Sequence, residues 1–216
     1  MLFADRDQAG RELADEITRL CPPGAADQRP LVLALPRGGV PVAAHVAAAI
    51  DADLGVVVAR KIGAPGRPEY GIGAIAEDGP PTFDIEALDA LGLTETDLAG
   101  AVAAERTELA RRIRRYRGDR PLPAMTGRTV ILVDDGLATG VTAVATLRWL
   151  RLRAPARLML AVPVCAAAAR DLVDAESDQV VCLHMPPLFR AVGRWYDDFA
   201  QLTDADVDRL LHAAAH

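Results

Sequence analysis

The sequence predicts an α/β protein with an open, mainly parallel and twisted sheet flanked by helices. Apolar runs of strand length alternate along the chain with stretches whose apolar residues recur at helical spacing, which is typical of βαβ winding. The runs are continuously apolar, as expected for parallel strands that are buried on both faces. With 216 residues the chain has the length of one well-packed domain, and we expect a single domain over residues 1–216.

The first elements follow from capping residues and apolar patterns. Asp5 at the N-cap position and Gln8 at the capping-box position predict an amphipathic helix over residues 5–20. Two buried strands separated by a helix are predicted next, the strands at 31–35 and 54–59 and the helix at 40–50. Residues 60–83 are rich in glycine and proline, so this segment is expected to be a loop with short extended pieces.

The alternation of strands and helices resumes in the second half. A capping box at Thr94 and Asp97 predicts a long helix that ends near Gly118. Beyond it, strands are predicted at 129–133, 157–164 and 179–183, and helices at 140–153 and 166–175. A polar and aromatic stretch, residues 184–200, separates the last strand from a capped helix that begins at Thr203.

Composition narrows the function classes. The formal net charge is −6, so no general attraction to nucleic acid or to an anionic membrane is expected. The three cysteines are widely spaced, which argues against a zinc site or a disulfide framework. The N-terminal region has no apolar signal-peptide core, and no apolar run approaches the ~20 residues of a membrane span. We therefore expect a soluble, cytoplasmic protein without a nucleic-acid or membrane partner.

The segment VILVDDGLATGVTA, residues 130–143, carries the most chemical information. Ligands of parallel sheets bind beyond the carboxyl ends of the strands, and this loop occupies that place. Its small residues let backbone N–H groups approach a ligand, and the helix that follows directs free N–H donors and a positive dipole end into the loop. Thr139 and Thr142 add hydroxyl donors. These features predict a site for a terminal phosphate.

Two adjacent carboxylates, Asp134 and Asp135, precede the phosphate loop. Ionised carboxylates accept hydrogen bonds, so they suit the two hydroxyls of a sugar diol and favour positive charge nearby. A phosphate at one end and a diol at the other describe a ribose 5-phosphate site. A Walker loop is not indicated, because no Gly-Lys-Ser/Thr follows. The alternative is an ordinary strand–turn–helix connection with a polar edge.

This segment closely resembles the PRPP-binding motif of the type I phosphoribosyltransferases, where PRPP is 5-phosphoribosyl 1-pyrophosphate. PRGG at residues 36–39 resembles the family's pyrophosphate loop, which implies that Arg37 binds pyrophosphate and that Gly38 and Gly39 supply backbone donors. The peptide before Arg37 is then a candidate for the non-proline cis bond of this loop. The resemblance spans most of residues 30–185, and the whole chain is most similar to bacterial proteins described as predicted phosphoribosyltransferases.

The resemblance also implies a reaction and a set of roles. A nitrogenous base displaces pyrophosphate from C1 of PRPP, with Mg²⁺ bound to the PRPP oxygens. Arg37 and Lys61, the single lysine among 24 basic residues, would stabilise the leaving pyrophosphate. Asp134 and Asp135 would contact the ribose hydroxyls and the water on the metal. The 5-phosphate would be bound through Ala138, Thr139, Gly140, Val141 and Thr142. The alternative for Lys61 is a chance position on a surface loop.

The C-terminal segment 186–199 resembles the hood of the hypoxanthine-guanine type enzymes. By that resemblance, Phe189 or Trp195 stacks on the base, Val192 offers backbone atoms, and Asp197 approaches the metal site. The alternative is that the aromatic residues anchor the C-terminal helix in the core.

One position departs from the 6-oxopurine members of the family. Ala138 stands where they have an Asp that handles the proton of the base, so no general acid or base can be named. The insert at residues 60–128 is expected to contain a mobile lid, and residues 184–216 the hood and the last helix. The arginine-rich run 111–120 is interpreted as a solvated helix face paired with preceding glutamates; contact with PRPP phosphates, a dimer partner or RNA is the alternative.

The leading prediction is therefore a Mg²⁺-dependent phosphoribosyltransferase that acts on a small, purine-like nitrogenous base and forms a homodimer. One alternative is a regulator that senses PRPP or a nucleotide without catalysis. Another is an enzyme that handles phosphoribosyl groups in the hydrolytic or phosphorolytic direction.

Overall fold

The structure is a computed structural model that describes residues 2–24 and 28–213, so residues 1, 25–27 and 214–216 of the predicted domain lie outside it. Its α-helices are α1 (Arg6–Leu20), α2 (Gly39–Ala49), α3 (Ile85–Leu91), α4 (Ala99–Arg117), α5 (Val141–Arg151), α6 (Ala167–Asp174) and α7 (Asp204–Ala213). Its strands are β1 (Leu31–Ala34), β2 (Asp53–Val56), β3 (Ala59–Ala64), β4 (Arg67–Ala76), β5 (Thr82–Phe83), β6 (Thr129–Val133), β7 (Arg157–Val164) and β8 (Gln179–His184). Among the described residues, no helix combines the length and the apolar character needed to cross a membrane.

The predicted parallel sheet is confirmed. Its strands lie in the order β2–β1–β6–β7–β8, and each neighbouring pair is parallel. Helices α1 and α2 pack on one face, and α5 and α6 pack on the other. In β6, Ile131 and Val133 join the first core while Val130 and Leu132 join the second, and all four side chains are fully buried. Burial on both faces explains why these strands have continuously apolar sequences.

Several predicted boundaries are confirmed closely. Strands β6 and β7 have the predicted bounds, and α1 begins directly after Asp5, whose carboxylate accepts a hydrogen bond from the Gln8 N–H at 2.7 Å. The capping box of Thr94 and Asp97 starts a short 3₁₀ helix that continues into α4, and α4 ends at Arg117, directly before its C-cap Gly118.

The segment 60–83 is not mainly a loop, and that prediction was wrong. Strands β3, β4 and β5 form an antiparallel sheet that packs against α4 and α5. At Gly73 the neighbouring backbone leaves no room for a side chain, because a Cβ there would lie 2.6 Å from the carbonyl oxygen of Thr82. Full burial of Ile62 and Ile75 outweighs the low strand preference of glycine.

Two further details differ from the prediction. The apolar run 54–59 is divided between the two sheets, because β2 ends at Val56 and β3 begins at Ala59. Helix α3 was not predicted, although Asp84 caps it by accepting a hydrogen bond from the Ala87 N–H at 3.1 Å. A short apolar run does not show whether its residues form a strand or a helix, or which sheet a strand belongs to, and this explains both differences.

The N-terminal residues meet the segment before α7 beside the parallel sheet. Leu2 and Phe3 donate their backbone N–H groups to the carbonyl oxygen of Trp195, at 2.9 and 3.0 Å. Asp197 donates its backbone N–H to the Phe3 carbonyl at 2.9 Å, and the buried rings of Phe3 and Tyr196 lie 5.4 Å apart. These contacts hold the start of α1 next to the segment predicted to be the hood.

Candidate active site

Two loops meet at the carboxyl ends of β1 and β6, which are neighbours in the parallel sheet. The Leu35 N–H donates to the Val133 carbonyl at 2.9 Å, so the two strand ends stay paired. The loop after β1 contains a cis peptide bond between Pro36 and Arg37, which confirms the prediction for that peptide. A Cβ at Gly39 would lie 2.6 Å from the Val133 carbonyl oxygen, so this close approach requires glycine.

Asp134 and Asp135 lie directly after β6. Asp134 lines a cleft, and its Oδ1 accepts a hydrogen bond from the Asp135 N–H at 2.9 Å. Burial and the neighbouring Asp135 carboxylate raise the pKa of Asp134 well above its usual range. Burial also raises the pKa of Asp135, while the Arg6 guanidinium opposes that shift. A cation or a hydrogen-bond donor in the cleft would therefore stabilise the charged form of Asp134.

The loop after the two acids forms a cleft of about 140 Å³. Its lining residues are Asp134, Gly136, Leu137, Ala138, Thr139, Gly140, Thr142, Ala143 and Val192. Gly140 has φ 75° and immediately precedes Val141, the first residue of α5. The first N–H groups of a helix have no carbonyl partner within it, so they are available to a ligand at this end of α5. The cleft can bind a small anion through the main chain.

Packing against β7 and the C-terminal segment holds this loop in place. The Leu137 N–H donates to the Val164 carbonyl, and the Ala166 N–H donates to the Leu137 carbonyl, both at 2.9 Å. A Cβ at Gly136 would lie 2.6 Å from Val192 Cγ1 and 3.0 Å from Val164 Cγ1. The loop therefore has little freedom to move away from Val192.

Arg6, the first residue of α1, was not predicted to be a site residue. Its Nε donates to Asp135 Oδ2 at 2.8 Å, and its Nη1 donates to the Ala200 carbonyl at 3.0 Å. The guanidinium lies over the Phe199 ring, with Cζ 3.8 Å from the ring centroid. The sequence contains no signal for this ion pair, because 129 positions separate the partners and an arginine in a first helical turn usually faces solvent.

Asp135 is held from two further directions. The Tyr196 hydroxyl donates to the backbone carbonyl of Asp135 at 2.7 Å. Burial raises the pKa of Tyr196, so its hydroxyl stays protonated and remains a donor. On the other side, a Cβ at Gly38 would lie only 1.9 Å from Asp135 Oδ2. The second acid therefore lies directly against the loop that was predicted to bind pyrophosphate.

The two cations predicted to bind pyrophosphate have different surroundings. Arg37 is 34% exposed, and its Nη1 lies 3.7 Å from Asp204 Oδ1 at the start of α7. The same Asp204 oxygen accepts a hydrogen bond from the Tyr116 hydroxyl at 2.8 Å; burial and this bond raise the pKa of Tyr116 to about 12. Lys61 is exposed on β3, where its aliphatic stem packs over Gly71. Arg37 thus belongs to the loop beside the acids, and Lys61 belongs to the antiparallel sheet.

Within the predicted hood, Val192 lines the cleft. Phe189 and Trp195 are partly buried, with ring centroids 6.1 Å apart, and they pack against the small aromatic core around Tyr196. In the described part of the chain, Trp195 Nε1 is buried and has no hydrogen-bond partner. The Asp197 side chain is exposed. Tyr196 thus anchors the segment in the core, as the alternative interpretation of the aromatics expects, while Phe189 and Trp195 lie closer to the surface.

The arginine-rich run is a largely paired face of α4. Arg111 and Arg112 both donate to Glu108, and these hydrogen bonds lower the pKa of Glu108 to about 2. Arg117 forms a forked ion pair with the buried Glu77, with both distances 2.7 Å.

Two adjacent acids and a helix N-terminus follow β6 at the carboxyl end of the parallel sheet, which is where open α/β proteins bind their ligands. The family model described as "Phosphoribosyl transferase domain" matches residues 5–192. The chain therefore belongs to the phosphoribosyl transferase family. This confirms the family resemblance seen in the sequence.

Individual relatives agree with the family model. Two Mycobacterium tuberculosis proteins, from strains CDC 1551 / Oshkosh and ATCC 25618 / H37Rv, are 41% identical to this chain over 216 residues, and each is named a "Putative phosphoribosyl transferase". The matches cover 99% of this chain but 47% of theirs, so the chain spans about half the length of these relatives. The crystal structure of TT1426 from Thermus thermophilus is similar with a TM-score of 0.80 and 42% identity, over 98% of each chain.

Proposed function

We propose that this protein transfers the 5-phosphoribosyl group of PRPP to a purine-like nitrogenous base and releases pyrophosphate. One observation carries the proposal: the cleft that contains Asp134 also contains the main-chain anion loop, and both lie beside the cis-peptide loop at Arg37. In this proposal the loop after Asp135 is the first anion site, the two acids are the diol acceptor, and the loop at Arg37 is the second anion site. This is the order of groups in PRPP.

The 5-phosphate is assigned to loop 138–142, where the N–H groups and the positive dipole end of α5 stabilise a doubly charged group. Asp134 faces the cleft and accepts hydrogen bonds from the ribose hydroxyls. Asp135 already accepts from Arg6 through Oδ2, so its Oδ1 is the oxygen assigned to the diol.

The pyrophosphate is assigned to Arg37 and the N–H groups of Gly38 and Gly39, with Lys61 as the second cation. In the reaction, the bond between C1 and the pyrophosphate oxygen breaks, and a nitrogen of the base forms the new bond to C1. The two carboxylates favour the positive charge that develops on the ribose ring. Loss of one such charged contact costs about 2–4 kcal/mol of transition-state stabilisation, or roughly two to three decades in rate.

Mg²⁺ fits the donor set of this site. Asp134 and Asp135 are carboxylate oxygen donors; burial and the neighbouring Asp135 charge raise the pKa of Asp134, and a divalent cation would favour its charged form. Bound together with PRPP, the ion would neutralise the leaving pyrophosphate. Among the described residues, no three Asp, Glu, His or Cys side chains are grouped to bind a metal ion by themselves. Asp134, Asp135 and, as the resemblance implies, Asp197 would therefore hold it mostly through water or PRPP oxygens.

The base is assigned to the hood. Val192 lines the cleft and offers its backbone atoms, and Phe189 or Trp195 stacks on the ring. Ala138 is exposed and has no acidic group, so the proton of the base is not assigned to that position. A homodimer and a cytoplasmic location are parts of the same proposal.

The test is Mg²⁺-dependent pyrophosphate release from PRPP, measured over a panel of purines, pyrimidines and related heterocycles. We expect at least one purine-like base to support turnover. Asp134→Asn and Arg37→Ala should each reduce kcat/KM by roughly two to three decades. Arg151→Ala, which removes a surface ion pair at the far end of α5, is the matched control and should leave kcat/KM unchanged.

The outcomes separate the candidate functions. Tight PRPP binding without turnover on any base would support the PRPP sensor. Failure of the wild-type protein to bind PRPP at millimolar Mg²⁺ would contradict the assignment of the cleft.

A further inference from the structure

Arg6 connects three parts of the molecule that surround the cleft. It begins α1, donates to Asp135 Oδ2 at 2.8 Å and donates to the Ala200 carbonyl, beyond the hood, at 3.0 Å. Its guanidinium also covers the Phe199 ring at 3.8 Å. The side chains of Arg6 and Asp135 are only 12% and 13% exposed, so this is a largely desolvated, charge-assisted hydrogen bond rather than a surface ion pair.

The oxygen that Arg6 binds is the oxygen nearest to the proposed pyrophosphate loop. A Cβ at Gly38 would lie 1.9 Å from Asp135 Oδ2 but 3.1 Å from Oδ1. Arg6 therefore binds the carboxylate oxygen that lies against the loop, and Oδ1 is left outside the ion pair.

We propose that Arg6 is a positioning residue of the phosphoribosyl site, which acts by holding Asp135 between the proposed pyrophosphate loop and the C-terminal segment. The inference rests on the proposed function, because PRPP is the ligand whose binding it changes. We assign Arg6 no direct contact with PRPP, because Nε and Nη1 already have protein acceptors and one face of the guanidinium lies over the Phe199 ring.

The experiment compares two variants of Arg6 in the full chain. Arg6→Gln removes the charge, and Arg6→Lys keeps the charge but loses the stacking on Phe199 and the bond to Ala200. Calorimetry with Mg²⁺ and PRPP gives Kd, and thermal unfolding of the free protein gives Tm. Arg11→Gln, on the same helix and in an exposed ion pair with Asp7, is the matched control.

We expect Arg6→Gln to weaken PRPP binding by at least about tenfold, because Asp135 is then free to leave its position. Arg6→Lys should bind PRPP within about threefold of the wild-type protein although its Tm falls, because a positive charge is enough to hold Asp135. If Arg6 had a purely structural role, each variant would lose PRPP affinity in proportion to its decrease in Tm. If Arg6→Gln does not fold, Arg6→Lys alone tests the inference. Near wild-type Kd with a lower Tm supports it, and a Kd that weakens together with Tm contradicts it.

A double-mutant cycle with Asp135→Asn tests whether Arg6 acts through Asp135. We expect Arg6→Gln to change Kd by less than about twofold once Asp135 is Asn, because the two losses are not additive when one residue acts through the other. Additive losses, or wild-type affinity in Arg6→Gln, would overturn the inference alone. Absence of PRPP binding by the wild-type protein would overturn the proposed function and this inference together.

Discussion

Gly38→Ala tests the contact between the cis-peptide loop and the second acid. Gly38 has φ −61° and ψ −35°, a conformation open to any residue, so the effect of a methyl group comes from contact and not from the backbone. The new Cβ would lie 1.9 Å from Asp135 Oδ2, and a tolerable contact of 3.0 Å requires a displacement of at least 1.1 Å. Either the carboxylate leaves Arg6 or the loop leaves the acid.

If the Asp135 carboxylate leaves Arg6, the decrease in the free energy of unfolding can be calculated. Loss of the charge-assisted bond from Arg6 to Asp135 costs about 1.5–3 kcal/mol. For a protein of this size, each kcal/mol corresponds to roughly 2–4 °C in Tm, so Gly38→Ala should lower Tm by roughly 3–12 °C. PRPP binding should weaken as well, because both displacements disturb the proposed pyrophosphate loop.

Thermal unfolding followed by circular dichroism measures the effect, with Gly100→Ala as the control. Gly100 lies in α4 with open space around its Cβ position, so alanine there should stabilise the protein by about 0.5–1 kcal/mol. A Gly38→Ala protein with wild-type Tm and wild-type PRPP affinity would refute the close contact on which this reasoning depends.

Three further substitutions probe the same surroundings and the core. Asp134 has a raised pKa in the folded protein, so between pH ~4 and that pKa the folded protein binds more protons than the unfolded chain, and its stability falls as the pH rises. Asp134→Asn should reduce this fall, measured as Tm against pH without ligand. An unchanged pH dependence would contradict the prediction. Tyr196→Phe leaves the Asp135 carbonyl unpaired and should cost about 1–3 kcal/mol in urea unfolding, whereas an unshifted midpoint would show that water replaces the hydroxyl. Glu77→Ala leaves the buried charge of Arg117 without its forked partner and should lower the free energy of unfolding by about 3–5 kcal/mol in the same assay. A decrease below about 1 kcal/mol would mean that the two residues interact as weakly as a surface ion pair.

Some parts of the fold could be predicted from local patterns, and others could not. Strands β6 and β7 had the predicted bounds because both faces of each strand are buried, which makes the whole run apolar. The segment 60–83 was misassigned because its glycines suggested a loop. In the folded chain, the lack of a side chain at Gly73 lets β4 and β5 approach each other closely.

The candidate site also has a part that could be predicted from the sequence and a part that could not. Residues 134–142 could be interpreted from the sequence, because a strand, two acids, small residues and a helix start are consecutive, and their donors and dipole follow from short-range backbone geometry. The alignment of this loop with Arg37 could also be expected, since carboxyl ends of neighbouring parallel strands share one edge.

Contacts between distant segments depend instead on how the whole chain packs. The bond from Arg6 to Asp135, the hydroxyl of Tyr196 on the Asp135 backbone and the contact of Val192 with Gly136 all join residues more than fifty positions apart. Each requires the terminal segments to pair beside the sheet, and no local pattern encodes that pairing. The chemistry of the loop can therefore be predicted from consecutive residues. Its precise shape and the partner of its second acid result from long-range packing, in which burial of Phe3 and Tyr196 brings Arg6 to the cleft.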